Sequence, residues 1–417
     1  MLLQNVVIIT NQASTMGGAE KVACRCAILM AERGFNTYLF AGTGPVSPEL
    51  VQSGVHVTCL DGEYTAAAGR NKIVAAAQGF WNAKAGRVLS RLLAGLDPAS
   101  TVVNLHSWTH TMSSSILESV RRAGFPLLIT AHDYFLACPN GGFYNYVDWK
   151  PCELRECGRE CRRTNCDKRS FAQKKYRVAR FDVQTRILRK MKPKPGVIFL
   201  SDFSEGVLRE SVPFECDSYR IDNPIDSGNA ARVDSPSFAD RSIDCLFVGR
   251  VEPEKDCALF CRVATKVGCR AVVVGDGAQR PELERDFPEV EFVGKRFPRE
   301  VAEYYRNSRV FVFSSSYYEV APLTIREAQL AGALPVALRG GTAGTDYVRD
   351  GVDGIVAPYD DEDALVSAVR GLLDEGTNDR MRRAVLDADF SVHNGSVFAD
   401  RMNKIYESFL SSRGVDR

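Results

Sequence analysis

Short apolar runs recur along the chain, each followed by a glycine or polar turn and then by a stretch with helical spacing. Asn5-Val-Val-Ile-Ile-Thr is the first such run. It is apolar at consecutive positions, as a strand covered on both faces must be. Phe35 to Ala41, Val55 to Leu60, Thr101 to His106, Pro126 to Thr130 and Val197 to Ser201 repeat the pattern. Between them, helices are predicted from the Met16-Gly17-Gly18 turn to about Arg33, over Ile73–Leu93, over Met112–Ala123 and from Phe203. Gly34 stands where it can close the first of these. A second series starts at Asp244-Cys-Leu-Phe-Val and continues through Ala271-Val-Val-Val, Val290-Glu-Phe-Val, Arg309-Val-Phe-Val-Phe and Leu334-Pro-Val-Ala-Leu. Its helices are predicted near Val301–Tyr305, from Pro322 to a stop at Gly332, from Ala364, and over Phe398–Leu410. Strands alternating with helices predict parallel sheets covered on both faces, so the fold class is α/β with two doubly wound units.

A length of 417 residues suits two domains of about 200 residues each. Ser227 to Asp240 is polar and contains proline, which marks a linker. The expected division is 1–222, a linker at 223–240, a second domain at 241–395, and a last helix at 396–417 returning to the first domain. The formal net charge of +1 implies no general affinity for nucleic acid. Met1 to Gln12 lacks a basic start and reads as a strand, not a signal peptide. No run of about 18 apolar residues is present. The expected compartment is the cytoplasm, where the 13 cysteines stay reduced.

Candidate chemistry concentrates between Tyr317 and Gly332. Pro322 suits the start of a helix, Glu319 precedes it, and Glu327 lies about two turns along it. At ~1.5 Å per residue the two carboxylates stand about 12 Å apart along the axis. A retaining glycosidase pair stands only about 5 Å apart. These two acids therefore suit the ends of a long ligand, and the helix start at Ala321, Pro322 and Leu323, whose free N–H groups exclude the proline's, offers an anion site between them. Arg250 and Lys255 follow a strand end five residues apart, a spacing that suits a diphosphate. His132 directly follows the strand Pro126–Thr130, at the sheet edge where α/β folds bind ligands. His106 also ends a strand, a weaker signal.

The Glu319…Glu327 stretch resembles the signature of the retaining glycosyltransferases of GT-B fold, the group-one family. So do Gly17-Gly18-Ala-Glu, the serine-containing strand at Val197, Tyr219-Arg-Ile-Asp-Asn-Pro-Ile-Asp, Val248-Gly-Arg with Lys255, and Phe292-Val-Gly, in the family's order. The resemblance covers the chain outside a Cys-rich insert. It implies two Rossmann-like domains facing across a cleft that holds a UDP- or GDP-linked sugar. It also implies retaining, metal-independent hexosyl transfer to a glycan or lipid-linked acceptor, as in polysaccharide synthesis, with no cofactor required for catalysis. By the same resemblance Glu319 meets donor-sugar hydroxyls and Glu327 the ribose. Arg250 and Lys255 stabilise the leaving diphosphate, and His132 lies near the donor sugar. Gly17 and Gly18 face the donor phosphates and the acceptor, and backbone near Lys295 and Arg296 meets the base. Two departures stand out. Asp256 replaces the usual glycine after the lysine, which would put an acid near the phosphates. Arg339-Gly-Gly-Thr-Ala-Gly-Thr-Asp lacks the family's Pro-Glu, so Asp346 receives no catalytic role. Asp360-Asp-Glu-Asp reads as a helix cap, not a metal motif. A nucleotide-sugar epimerase and an inactive sugar-nucleotide binding module are the rival readings.

The insert, about 138–194, carries Cys152, Cys157, Cys161 and Cys166, with Cys138 upstream. Four thiolates at these gaps can be read as a structural zinc site, as free thiols or as a strained redox pair. Arg155 to Lys194 holds fifteen Lys or Arg against four Asp or Glu, with Phe171, Tyr176 and Phe181 interleaved. A solvated basic helix and a surface that meets anionic membrane or a lipid diphosphate are the two readings.

Overall fold

The computed structural model describes residues 2–14, 17–60, 72–225, 236–340 and 343–412. Met16, most of the predicted linker (226–235) and Gly341-Thr342 fall outside these. The first sheet is built from β1 (Asn5–Gln12), β2 (Asn36–Thr43), β3 (His56–Cys59), β4 (Thr101–Leu105), β5 (Leu127–Thr130), β8 (Gly196–Phe199) and β9 (Asp217–Arg220). Between β5 and β8 a small hairpin is formed by β6 (Tyr144–Asn145) and β7 (Lys150–Pro151). The second sheet holds β10 (Ile243–Val248), β11 (Ala271–Val274), β12 (Glu291–Gly294), β13 (Ser308–Phe313), β14 (Leu334–Arg339) and β15 (Ile355–Pro358). The strand orders are β3-β2-β1-β4-β5-β8-β9 and β12-β11-β10-β13-β14-β15. Every pair within these two sheets is parallel. This is the GT-B arrangement.

The central strands are covered on both faces: Val6, Val7, Ile8 and Ile9 in β1 are fully buried, as are Val310 in β13 and Val336 in β14. That burial is why they read as unbroken apolar runs. The Gly18–Glu32 helix packs on β1 and β2. The helix expected over 73–93 is two, Lys72–Phe80 and Ala83–Leu93. Asn82 restarts the chain, its side-chain oxygen accepting from the Ala85 N–H at 3.0 Å. The last helix, Gly395–Ser411, lies on the first sheet's side, against the Gly18–Glu32 helix and β4. Among the described residues no helix is long and apolar enough to cross a membrane.

Candidate functional site

Because β10 and β13 are neighbours, their C-terminal ends lie side by side. The loop after β10 carries Arg250 and Lys255; the loop after β13 carries Ser314 to Glu319 and leads into the Leu323–Leu330 helix. Pro322 is its N-cap, one position earlier than a first-turn proline, and offers no side-chain cap. The first-turn N–H groups are therefore left for a ligand. Gly332, at φ +74°, closes the helix with its N–H on Gln329 O at 2.9 Å.

These loops form one wall of a cavity of about 480 Å³. Arg250, Lys255, Glu319, Ala321, Pro322 and Leu323 line it from the second unit, and Gly17, Gly18 and His132 line it from the first. Lys255 forms an ion pair with Glu319, and Ser315 Oγ also donates to Glu319 Oε1 at 2.9 Å. Arg250 Nη2 pairs with Glu254 Oε1 at 3.1 Å while its own side chain stays 64% exposed. Glu254 itself is buried, and its backbone oxygen accepts from Ser315 and Ser316 hydroxyls at 3.3 and 3.4 Å. The Gly275-Asp-Gly277 turn supports this loop from behind. A Cβ on Gly275 would stand 1.8 Å from Gly249 O, and one on Gly277 2.2 Å from Val251 O.

On the facing wall His132 and His106 are partners, Nε2 to Nδ1 at 2.9 Å with stacked rings. Burial pushes His132 down to about 3, and burial followed by the His132 neighbour pushes His106 well below its ordinary value. Both are neutral at physiological pH, so His132 offers the cavity a hydrogen-bonding group and not an acid. Asp133, next in sequence, is driven the other way, up to about 7, chiefly by burial and then by Glu20. Its Oδ1 accepts from the Phe135 N–H at 2.9 Å.

Glu327 lies outside the lining residues, but Lys21 reaches it from the first unit at 3.4 Å. Lys21, Glu254, Ser315 and His106 carry no motif of their own. Only the fold reveals Lys21, Glu254 and Ser315, whereas His106 had a sequence signal, its place at the end of β4. Lys295 and Arg296 are exposed and do not line the cavity. They follow β12 at the sheet edge, two strands away from β10.

Three features of the sequence take on different roles. Asp256 caps the Cys257–Val267 helix, accepting from the Leu259 N–H at 3.1 Å, with φ at +47°. Its carboxylate is turned to the helix start and is not set out as a phosphate neighbour. Asp361 caps its helix in the same way through the Ala364 N–H at 2.8 Å. The four insert cysteines, Cys152, Cys157, Cys161 and Cys166, do not converge as a zinc set. Among the described residues no three His, Cys, Asp or Glu side chains come together as metal ligands. Instead the Lys174 ammonium, fully buried, sits 3.1 Å from Cys166 Sγ and 3.6 Å from Cys161 Sγ. Burial opposes its charge, yet the hydrogen bond to Cys166 and the charges of Cys166, Cys161 and Cys138 leave it raised. Much of the basic stretch is likewise used internally. Arg162 pairs with Asp182, Arg177 with Asp167, Lys168 with Glu252, and Arg180 donates to Thr109 O. The Phe171–Arg189 helix is half embedded and is not a solvated rod.

Residues 242–375 match the family described as glycosyl transferases group 1. A GDP-mannose-dependent alpha-mannosyltransferase of Mycobacterium tuberculosis is 34% identical over 149 residues, 35% of this chain and 39% of that protein. One of the same description from Mycolicibacterium smegmatis is 30% identical over 172 residues, 40% of this chain and 44% of that protein. The chain thus matches less than half the length of these curated relatives. Among solved structures, a glycosyltransferase from Rickettsia africae superposes with a TM-score of 0.67 at 13% identity, over 98% of this chain and 99% of that one. HepE of Anabaena, in complex with UDP and glucose, superposes with a TM-score of 0.66 at 14% identity, over 97% and 99%. At such identities the likeness speaks to the fold.

Proposed function

We propose that this chain, whose residues 242–375 form a group 1 glycosyltransferase domain, transfers a hexose with retention from a nucleotide diphosphate sugar to an acceptor hydroxyl. The observation that carries this reading is one cavity holding Arg250, Lys255, Glu319 and an open helix start from one unit and His132 from the other. In this reading the diphosphate lies over the first turn of the Leu323–Leu330 helix, between Arg250 and Lys255. The sugar hydroxyls meet Glu319 and His132, and the ribose meets Glu327. The acceptor oxygen bonds to the anomeric carbon as the bond to the phosphate oxygen breaks. The electron pair leaves with the diphosphate, whose oxygen takes the acceptor proton on the same face. Charge on the leaving group is met by the two cations and the helix start, so the step is assigned no metal. The mannosyltransferase relatives make GDP-mannose the first donor to test. The acceptor is a glycan or a lipid-linked hydroxyl. Exposed Phe171, with Lys175 Nζ at 4.7 Å from its ring centre, is the face that would touch an anionic membrane.

Thermal shift against a panel of GDP- and UDP-sugars tests the reading, since a ligand that binds only the folded state raises Tm. GDP-mannose is expected to raise it, and to be consumed only with acceptor present. Lys255→Ala should keep the fold and lower kcat by about 10²- to 10³-fold. Turnover unchanged at saturating donor would remove Lys255 from the diphosphate site.

A further inference from the structure

The loop that delivers Glu319 does not stand alone. Tyr317, two residues earlier, is half-buried against the insert, its O–H donating to Gly141 O at 3.3 Å. A Cβ built on Gly142 would stand 2.8 Å from the Tyr317 ring, so ring and backbone are in direct contact there. Tyr144 O–H and Ser316 Oγ lie 3.3 Å apart, and the Tyr144 and Tyr317 ring centres 6.1 Å apart. Tyr318 meets Tyr134 and Phe143 edge-on at 6.3 and 6.2 Å. Lys255 Nζ lies 5.8 Å from the Tyr317 ring centre while it pairs with Glu319. Tyr317 thus touches the insert turn and lies beside the Lys255–Glu319 pair of the cavity.

The insert is braced for this. Asn140 Oδ1 accepts from the Gly142 N–H at 3.0 Å, and Asn140 Nδ2 donates to Tyr144 O at 2.8 Å. The same amide points at Cys166 Sγ at 3.3 Å, the sulfur that Lys174 also approaches. Lys168 Nζ reaches Glu252 Oε2 across the cleft at 2.6 Å. A loop fixed only by its own hydroxyls would let Glu319 and Lys255 wander; stacking against a fixed backbone turn restrains them. We infer that the Gly141-Gly142 turn of the insert and Tyr317 form a strut that positions Glu319 and Lys255 for transfer, making Tyr317 a positioning residue. The inference rests on the proposed function for its chemistry but not for its geometry.

Gly142→Ala pushes a methyl into the Tyr317 ring, whereas Tyr317→Phe keeps the ring and removes one neutral hydrogen bond. Donor kinetics should show kcat falling about 10- to 100-fold in Gly142→Ala and Tyr317→Leu, with donor KM changed less than about threefold. Tyr317→Phe should lose less than about tenfold, because one neutral hydrogen bond contributes little net. Hydrogen–deuterium exchange is read in parallel on intact protein. Residues 314–319 should exchange faster in Gly142→Ala while β1 and β10 keep their protection. Unchanged exchange at 314–319, or Tyr317→Leu matching wild type in kcat, overturns the strut. Wild-type protein that turns over no sugar nucleotide refutes the proposed function instead, and the exchange result still decides the strut.

Discussion

Asp133 shows how one side chain next to the cavity couples to the whole fold through its proton. Its folded-state value lies near 7, above that of an exposed aspartate, because burial and Glu20 disfavour the charge. Below about pH 4 the carboxyl is protonated in folded and unfolded chains alike and contributes nothing. As pH rises from there to about 7 the unfolded chain releases the proton and the folded chain does not, so stability is lost across that window. Asp133→Asn keeps the acceptor for the Phe135 N–H and removes the penalty. It should raise Tm at pH 8 and leave it nearly unchanged at pH 4; equal shifts at both pH values in parallel thermal scans would contradict the assignment. Asp256 makes a different point at this scale. The backbone turns left-handed there, a conformation that favours glycine, and an aspartate tolerates the turn while capping the next helix.

At the scale of elements, what the sequence reveals is what burial writes into it. Strands β1, β4, β10 and β13 were legible because parallel strands covered on both faces carry runs of consecutive apolar side chains. The Leu323–Leu330 helix was legible from Pro322 and Gly332. The break at Asn82 was not, because apolar residues continue on both sides of it and the restart depends on one side-chain oxygen. Nor was the insert. Lys174 reads as one more exposed cation in a basic run, and only the fold shows it enclosed by sulfur. The site divided the same way. Arg250, Lys255, Glu319 and His132 sit at strand ends and were found there, and His106 gave a weaker signal of the same kind, whereas Lys21 acts through a partner 306 residues distant. Asn82 offers a direct check on the two-helix reading. Asn82→Ala leaves the Ala85 N–H without its cap and should cost about 1 kcal/mol, and Asn82→Asp should recover most of it. Urea titrations of the three proteins give the comparison; no difference between wild type and Asn82→Ala would mean that the Ala83–Leu93 helix does not start at that oxygen.

Across the whole molecule, the two units are tied at several places around the cavity. Ser201 Oγ donates to Val320 O, and the Phe203 N–H reaches Asp346 Oδ2 at 2.8 Å. Asp346, which has no catalytic assignment, thus joins the first unit to the second. The Gly395–Ser411 helix makes a longer-range tie. It follows the second sheet in sequence and packs on the first, where Tyr406 is fully buried. Its O–H accepts from Asn104 Nδ2 at 2.7 Å, and Asn104 Oδ1 accepts from Thr130 Oγ1 at 2.9 Å. Asn104 and Thr130 sit in β4 and β5, the strands that end at His106 and His132. The chain's last helix therefore stabilises the strands that present the histidine pair. Tyr406→Phe preserves the packing but leaves a buried amide N–H without this acceptor. The expected cost is about 1–3 kcal/mol, because an unmet buried donor forfeits its desolvation. Differential scanning calorimetry should show a lower Tm for Tyr406→Phe. Nucleotide affinity at saturation should be retained, since the second sheet's cavity wall is untouched. A variant with wild-type Tm would show that the Asn104 amide finds another acceptor and that this hydrogen bond does not hold the helix in place.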